Sequence, residues 1–236
     1  MPILKPKIAK VTNIAKPTPK PIIATTLSGL FIKSEPWEKA HVLWFERAAR
    51  KLNDVSVKKY ANVTGYSKYV DKIMERLYPG LPENERTVKA RELFFDAVCE
   101  YLSKKPELIN KDLIEYFSSL KDNYRLALIT TNTEPSLEKI LSLPDLKGLF
   151  DIVETSHLHE KDDKAVVFDR FIEKYGKPKI YIGGDREDSF LYCEKHGIQS
   201  IFANFESAQD TDNVYTAHNL NELQDRLKIV LRNPKI

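Results

Sequence analysis

No aspartate occurs in this chain before Asp54, and no glycine before Gly29. The 236 residues hold 8 glycines and 2 cysteines. No apolar run approaches the roughly 20 residues that cross a bilayer, so a soluble protein without a membrane partner is expected. Cys99 and Cys193 lie far apart in amphipathic segments, which excludes a disulfide framework or a zinc site and points to a reduced, cytoplasmic setting. The first residues are basic but carry neither the apolar core of a secretory signal nor an arginine.

The formal net charge of +3 is unevenly spread. Five of the 37 basic residues are lysines among the first 20 positions, and the other 32 face 34 acidic residues. The body of the protein is therefore slightly acidic. It lacks a nucleic-acid footprint, and any affinity for polyanions belongs to the Pro- and Lys-rich arm 1–20. At 42% hydrophobic residues, the chain can bury a full core.

PIIATTLSGLFI (21–32) reads as a short buried strand delivering Thr25, Thr26 and Ser28 to a turn at Gly29. From Ser34 to Lys121 the pattern is helical. Ser34-Glu35-Pro36-Trp37 is a helix start, and Trp37, Ala40, Leu43, Trp44, Ala48 and Leu52 follow at helical spacing. Further helices are expected over 67–78, 85–103 and 111–121, with Trp37, Trp44, Phe94 and Phe95 read as packing residues rather than ligand contacts. From Tyr124 strands alternate with helices: strands at 125–130, 151–155, 179–182 and 198–203, and helices ending at Leu141, Tyr175, His196 and Leu231. This alternation predicts an α/β fold, a doubly wound parallel sheet whose ligands sit at the carboxyl ends of the strands. The domains then fall as a tail (1–20), an α/β core (21–33 with 122–236) and an inserted helical cap (34–121).

Those strand ends carry Thr25, Thr26 and Ser28, then Thr130, Thr131 and Asn132, then Lys161 and Lys164, then Gly183, Gly184 and Asp185. Hydroxyls, lysines, glycine amides and an aspartate on one rim are the kit for holding an anion beside a cation. The five histidines show no metal-like spacing except His157-x-His159, in a polar loop beside Glu160 that reads as solvated. No Ser-His-Asp pattern or Gly-x-Gly-x-x-Gly motif is present.

Over residues 22–231 the chain resembles the haloacid-dehalogenase-like (HAD-like) hydrolase superfamily. RLALITTNT is similar to its second motif, with Thr131 the motif hydroxyl and Thr130 next. KIYIGGDREDSFLYCEKHGIQSI is similar to its fourth. The superfamily lysine falls on Lys164 or Lys161, and Lys164 sits better, at the start of its helix and four residues before Phe168. TLSGLF matches the first motif, where the superfamily has Asp-x-Asp-Gly-Thr. Counted from Gly29, the nucleophile position holds Thr26, the acid/base position holds Ser28, and Leu30 stands for the threonine. In the fourth motif Asp185 matches and the second acidic position falls on Ser189, with Asp188 one residue early.

The resemblance implies a phospho-aspartate reaction assisted by a neighbouring aspartate and by magnesium. Here Thr26 lacks a base to activate it and Ser28 cannot shuttle a proton. Magnesium would keep Asp185, with Asp188 as a partial substitute. Loss of nucleophile and acid/base together costs on the order of ~10⁴-fold in rate. The same losses shift the local charge towards positive, so a small phosphorylated or carboxylated ligand could bind at Lys164, Thr131, Thr130, Asn132, Lys161, Gly29 and Gly184 without metal. Two readings follow: a phosphohydrolase with an unrecognised nucleophile, or a catalytically silent binding or protein-interaction module.

Overall fold

A computed structural model describes residues 19–62, 67–158, 160, 162–184, 186–206 and 215–232. The first strand sets the plan. β1 (Ile22–Thr25) is buried along its whole length and sits between β2 (Arg125–Thr133) and β4 (Ile180–Gly183). With β3 (Ile152–Ser156), β5 (Ser200–Ala203) and β6 (Tyr215–Ala217) the sheet has six parallel strands in the order β3-β2-β1-β4-β5-β6. β1 pairs Ile22–Thr25 with Arg125–Leu128 in unbroken register. The chain reverses its direction of winding between β1 and β4, which opens a crevice at the carboxyl ends of those two strands.

Side-chain alternation assigns the two faces of the sheet. Ile23, Leu126, Leu128, Ile180 and Ile182 point into one cluster, shared with Phe31 and with Leu223 and Leu227 of α8 (Leu220–Arg232). Ile22, Ala24, Ala127 and Ile129 point into the other. There they meet Val167, Phe168 and Phe171 of α6 (Lys164–Tyr175), and Phe190 and Cys193 of α7 (Glu187–Lys195). Full burial of each large side chain contributes roughly 1.5–3 kcal/mol before ordering costs are subtracted.

Above the carboxyl edge lie α1 (Glu35–Leu52), α2 (Ser67–Leu77) and α3 (Glu83–Lys104), which form a helical roof with its own cluster around Trp44, Phe45, Val57, Ile73 and Met74. The lower side of α3, through Phe95, Val98 and Leu102, joins the sheet cluster. So do Leu113, Ile114 and Phe117 of α4 (Lys111–Leu120), a helix inside the 34–121 segment. Ser34 stands at the start of α1, but its own side chain makes no capping bond. The carboxylate of Glu206, 172 residues away, accepts from the Ser34 amide at 3.0 and 3.2 Å. A negative charge there complements the helix dipole and ties the roof to the core.

Three elements depart from the sequence reading. β6 has only three residues and no alternating run to announce it. β2 continues through the polar stretch Thr131–Thr133 and resumes pairing after an irregularity between Thr130 and Thr133. A 3-10 segment at Val55–Asn62 fills the α1–α2 connection. Among the described residues, no helix is long and apolar enough to cross a membrane. Nearly all of the basic arm, residues 1–18, lies outside the described residues.

Candidate functional site

The Thr25 hydroxyl donates to the Ala127 carbonyl at 3.2 Å, so it is spent inside the sheet. The Thr26 amide donates to Ile182 O at 3.1 Å and extends the ladder to β4 by one residue. The chain then folds back. Phe31 N and Ile32 N both donate to Leu27 O, and Gly29 N donates to Ile32 O at 2.7 Å. Gly29 takes φ +71°, and its backbone touches that of Gly184. A Cβ on Gly29 would lie 2.6 Å from the Gly184 carbonyl oxygen, and one on Gly184 would lie 2.3 Å from the Gly29 carbonyl. The turns after β1 and β4 are thus locked backbone to backbone, and only glycine fits at either side.

Between these strand ends and the roof lies a cavity of about 770 Å³. Six residues expected at the site line its floor together: Thr26, Ser28, Thr130, Thr131, Asn132 and Lys164. Gly29 and Gly184 shape that floor without lining it, and Asp188 does not line it either. Asp185 and Lys161 lie outside the described residues. Ser189, at the second acidic position, is fully buried, its hydroxyl has no partner among the described residues, and it does not line the cavity.

Lys164 opens α6 at 2% exposure, with Nζ donating to Ile129 O at 2.5 Å and standing 5.9 Å from the Tyr181 ring centroid. Asp163 caps that helix, accepting from Ala165 N at 2.9 Å. Thr130 Oγ1 accepts from Asn132 N at 3.1 Å, which turns the end of β2.

Five charged residues that the sequence reading missed also line the cavity: Arg186, Asp162 and Arg91, with Glu38 and Asp71 on the helical side. Arg186 Nη1 donates to Asp162 Oδ1 at 2.8 Å and to Thr131 Oγ1 at 3.2 Å. Its Nε and Nη2 grip both oxygens of Asp188 at 3.1 and 2.6 Å. Burial works against the guanidinium charge, but the Asp188 and Asp162 carboxylates outweigh it and raise the Arg186 pKa. Desolvation likewise works against the Asp162 charge, and bonds from Thr131 and Arg186 overcome it, holding that carboxyl below the usual range. Arg91, on α3, donates to the backbone carbonyls of His157 and Glu160 in the β3–α6 loop. Burial draws its pKa down, against the pull of Asp162 and Glu160. The signal for Arg186 was its place directly after Gly184-Asp185 at a strand end. Nothing in the sequence marked Arg91, which acts across 66 and 69 residues.

The cavity's upper wall is aromatic: Trp37, Trp44, Phe45, Phe94 and Phe95 face it. Trp37, Trp44, Phe94 and Phe95 pack as expected, yet the same side chains line the cavity, because the roof's inner side serves both purposes.

Among the described residues, which do not include Asp185, the floor of the cavity presents little for magnesium. A hard cation prefers carboxylate oxygens. Among the described residues, no group of three His, Cys, Asp or Glu is placed to hold a metal ion. Thr26 and Ser28 offer neutral hydroxyls, and the carboxylates of Asp162 and Asp188 are engaged by Arg186.

No protein-family model and no curated protein sequence matches the chain. Solved structures do. A HAD phosphatase from Thermococcus onnurineus is 19% identical, with a TM-score of 0.57 over 88% of this chain and 97% of its own. The HAD-hydrolase YfnB from Bacillus subtilis, solved bound to magnesium, is 13% identical, with a TM-score of 0.57 over 89% of this chain and 100% of its own. The 2-haloacid dehalogenase of Pseudomonas syringae pv. Tomato DC3000 is 18% identical, with a TM-score of 0.56 over 89% of this chain and 99% of its own. This is the HAD-like fold. Phosphatases and a dehalogenase share it, so the fold by itself leaves the chemistry to the residues present.

Proposed function

We propose that this chain is a HAD-like superfamily protein whose centre has lost its hydrolytic chemistry, and that its cavity binds a small phosphorylated or carboxylated molecule without metal. The observation that carries this reading is the floor of the cavity. Thr26 and Ser28, not aspartates, follow β1, and they share the floor with Lys164 and with Arg186, whose guanidinium is paired with Asp162 and Asp188. The ligand's anionic group would rest on Lys164, Arg186 and the Thr131 hydroxyl, displacing Asp162, while its body lies against the aromatic wall. In this reading the helices from Ser34 onward are the superfamily's cap, the setting is cytoplasmic, and nucleic acid is met, if at all, through the basic arm.

Two measurements test it. Phosphate release from an aryl phosphate with magnesium should be absent for the native chain and should appear in a Thr26→Asp/Ser28→Asp variant. Native turnover abolished by Asp185→Ala would instead establish an enzyme. Thermal stability in EDTA should rise with millimolar phosphate, by about 1.4 kcal/mol at tenfold excess over Kd. The rise should vanish in Arg186→Gln, and a flat response of the native chain would remove the anion site.

A further inference from the structure

On the outer side of the roof, behind the wall that closes the first cavity, lies a second one of about 440 Å³. Its floor is apolar, built from Trp44 on α1, Leu77 at the end of α2 and Leu93 on α3. Its rim is cationic, because Arg47, Arg50 and Lys51 line it and no acidic residue does. Helix spacing contributes: positions 44, 47, 48 and 51 fall on one side of α1, so one stripe supplies Trp44 to the floor and two of the three cations to the rim. Arg47 Nη2 bonds to the Glu100 carboxylate at 2.5 Å, and Lys51 Nζ to the Tyr78 hydroxyl at 3.0 Å. Arg50 is exposed, and its side chain has no hydrogen bond or ion pair among the described residues. Trp44 belongs to both cavities and is 5% exposed.

We propose that this outer cavity is a binding site for an amphiphilic carboxylate, such as a medium-chain fatty acid, whose chain lies on Trp44, Leu77 and Leu93 and whose head meets Arg50 and Lys51. Charge complementarity selects the head. Arg47 is paired with Glu100, but Arg50 and Lys51 carry no acidic partner among the described residues, and a rim so charged favours an anion and disfavours an amine of the same shape. The apolar floor selects the tail, since a small hydrated anion gains nothing by entering it. The site is separate from the floor that holds Lys164 and Arg186, so it does not depend on the function proposed above.

Decanoate is the probe, and Trp44 is the built-in reporter. In a Trp37→Phe background Trp44 is the sole tryptophan, since the chain has 2. Titrating decanoate should give a saturable change in its fluorescence, with a Kd on the order of ~1 mM or tighter, matched by calorimetry on the native chain. Decyltrimethylammonium and decan-1-ol, with the same tail, should bind at least ~10-fold more weakly. Inorganic phosphate at 10 times its own Kd should leave the decanoate titration unmoved, which separates this site from the inner one. Arg50→Glu, at an exposed position that the fold does not use, should weaken decanoate about tenfold or more while far-UV circular dichroism stays unchanged. Equal binding of the alcohol, competition by phosphate, indifference to Arg50→Glu or the lack of saturation would each overturn the proposal.

Discussion

The floor and the roof of the main cavity are built by opposite rules. The floor is made of strand ends whose positions are fixed by the backbone ladder and by the contact between Gly29 and Gly184. Its polar side chains Arg186, Asp162 and Thr131 are cross-linked, and Asp188 grips Arg186 without lining the cavity. The roof is made of helices whose aromatic side chains pack by shape. Its polar ties to the core include Glu206 to the Ser34 amide, Asp96 to Lys139, and Arg91 to the His157 and Glu160 carbonyls. The difference shows where change is tolerated. Substituting a floor backbone position should break the fold, whereas substituting a roof tie should loosen one part of it.

The largest effect is expected at the glycine pair. Gly184→Ala places a Cβ 2.3 Å from the Gly29 carbonyl, and backbone cannot yield as a flexible side chain would. A loss of ~3 kcal/mol or more is expected in urea unfolding. Gly148 is the control. Unlike Gly184 it has positive φ, at +74°, but a Cβ there meets nothing within 4 Å. Gly148→Ala should cost only about 1–2 kcal/mol, the conformational term alone. Equal losses at the two sites would mean that the close approach of the two turns contributes nothing.

A smaller effect is expected where the roof meets the β3–α6 loop. The Arg91 guanidinium lands on the Glu160 carbonyl, and the Glu160 carboxylate is held by Arg170 Nη1 at 2.6 Å and by the His157 amide at 2.8 Å. The Arg170 bond, with help from that amide, keeps the Glu160 carboxyl below its ordinary value of 4.5, against desolvation. A carboxyl depressed in the folded state stabilises the fold above its unfolded pKa and loses that contribution as pH falls through the folded one. Glu160→Gln should therefore be less stable than the native chain at pH 7, by about 1 kcal/mol after discounting for its partial exposure. The gap should close progressively below pH 4.5. A gap that widens in acid would reverse the assignment.

The same contrast decides what could be read from the sequence. The floor was legible because a parallel sheet dictates where its loops converge, so Thr26, Ser28, Thr130, Thr131, Asn132 and Lys164 could be placed on one rim from spacing alone. Even there the partner logic was hidden, since the ties of Arg186 to Asp162 and Thr131 span 24 and 55 residues and have no local pattern. The roof's helices announced themselves by periodicity, but periodicity gives an apolar side and not its destination. That is why Trp37, Trp44, Phe94 and Phe95 read as packing while they also line the cavity. β6 was invisible for another reason: three residues carry too little alternation to stand out from a loop.

The gentlest test uses the two thiols, one on each side of the comparison. Cys193 lies under the floor in α7, where burial pushes its pKa up to about 12 despite the pull of Lys164. Cys99 is half-buried on α3, and desolvation again raises its pKa, opposed by Lys139 on α5 (Glu134–Leu141). Lys139 also bonds to Asp96 at 2.5 Å, one turn before Cys99, and so closes the roof over that thiol. The pair is exposed, so Lys139→Ala should cost under ~1 kcal/mol. It should nonetheless uncover Cys99 and speed its alkylation by iodoacetamide at pH 8, because local opening needs less free energy than unfolding. Removal of the lysine also removes a charge that favours the thiolate, so any acceleration reports access and not acidity. Cys193, behind a floor fixed by backbone, should react at the same slow rate in both proteins. If Cys193 accelerates in step with Cys99, roof and core open together and the contrast between them is wrong.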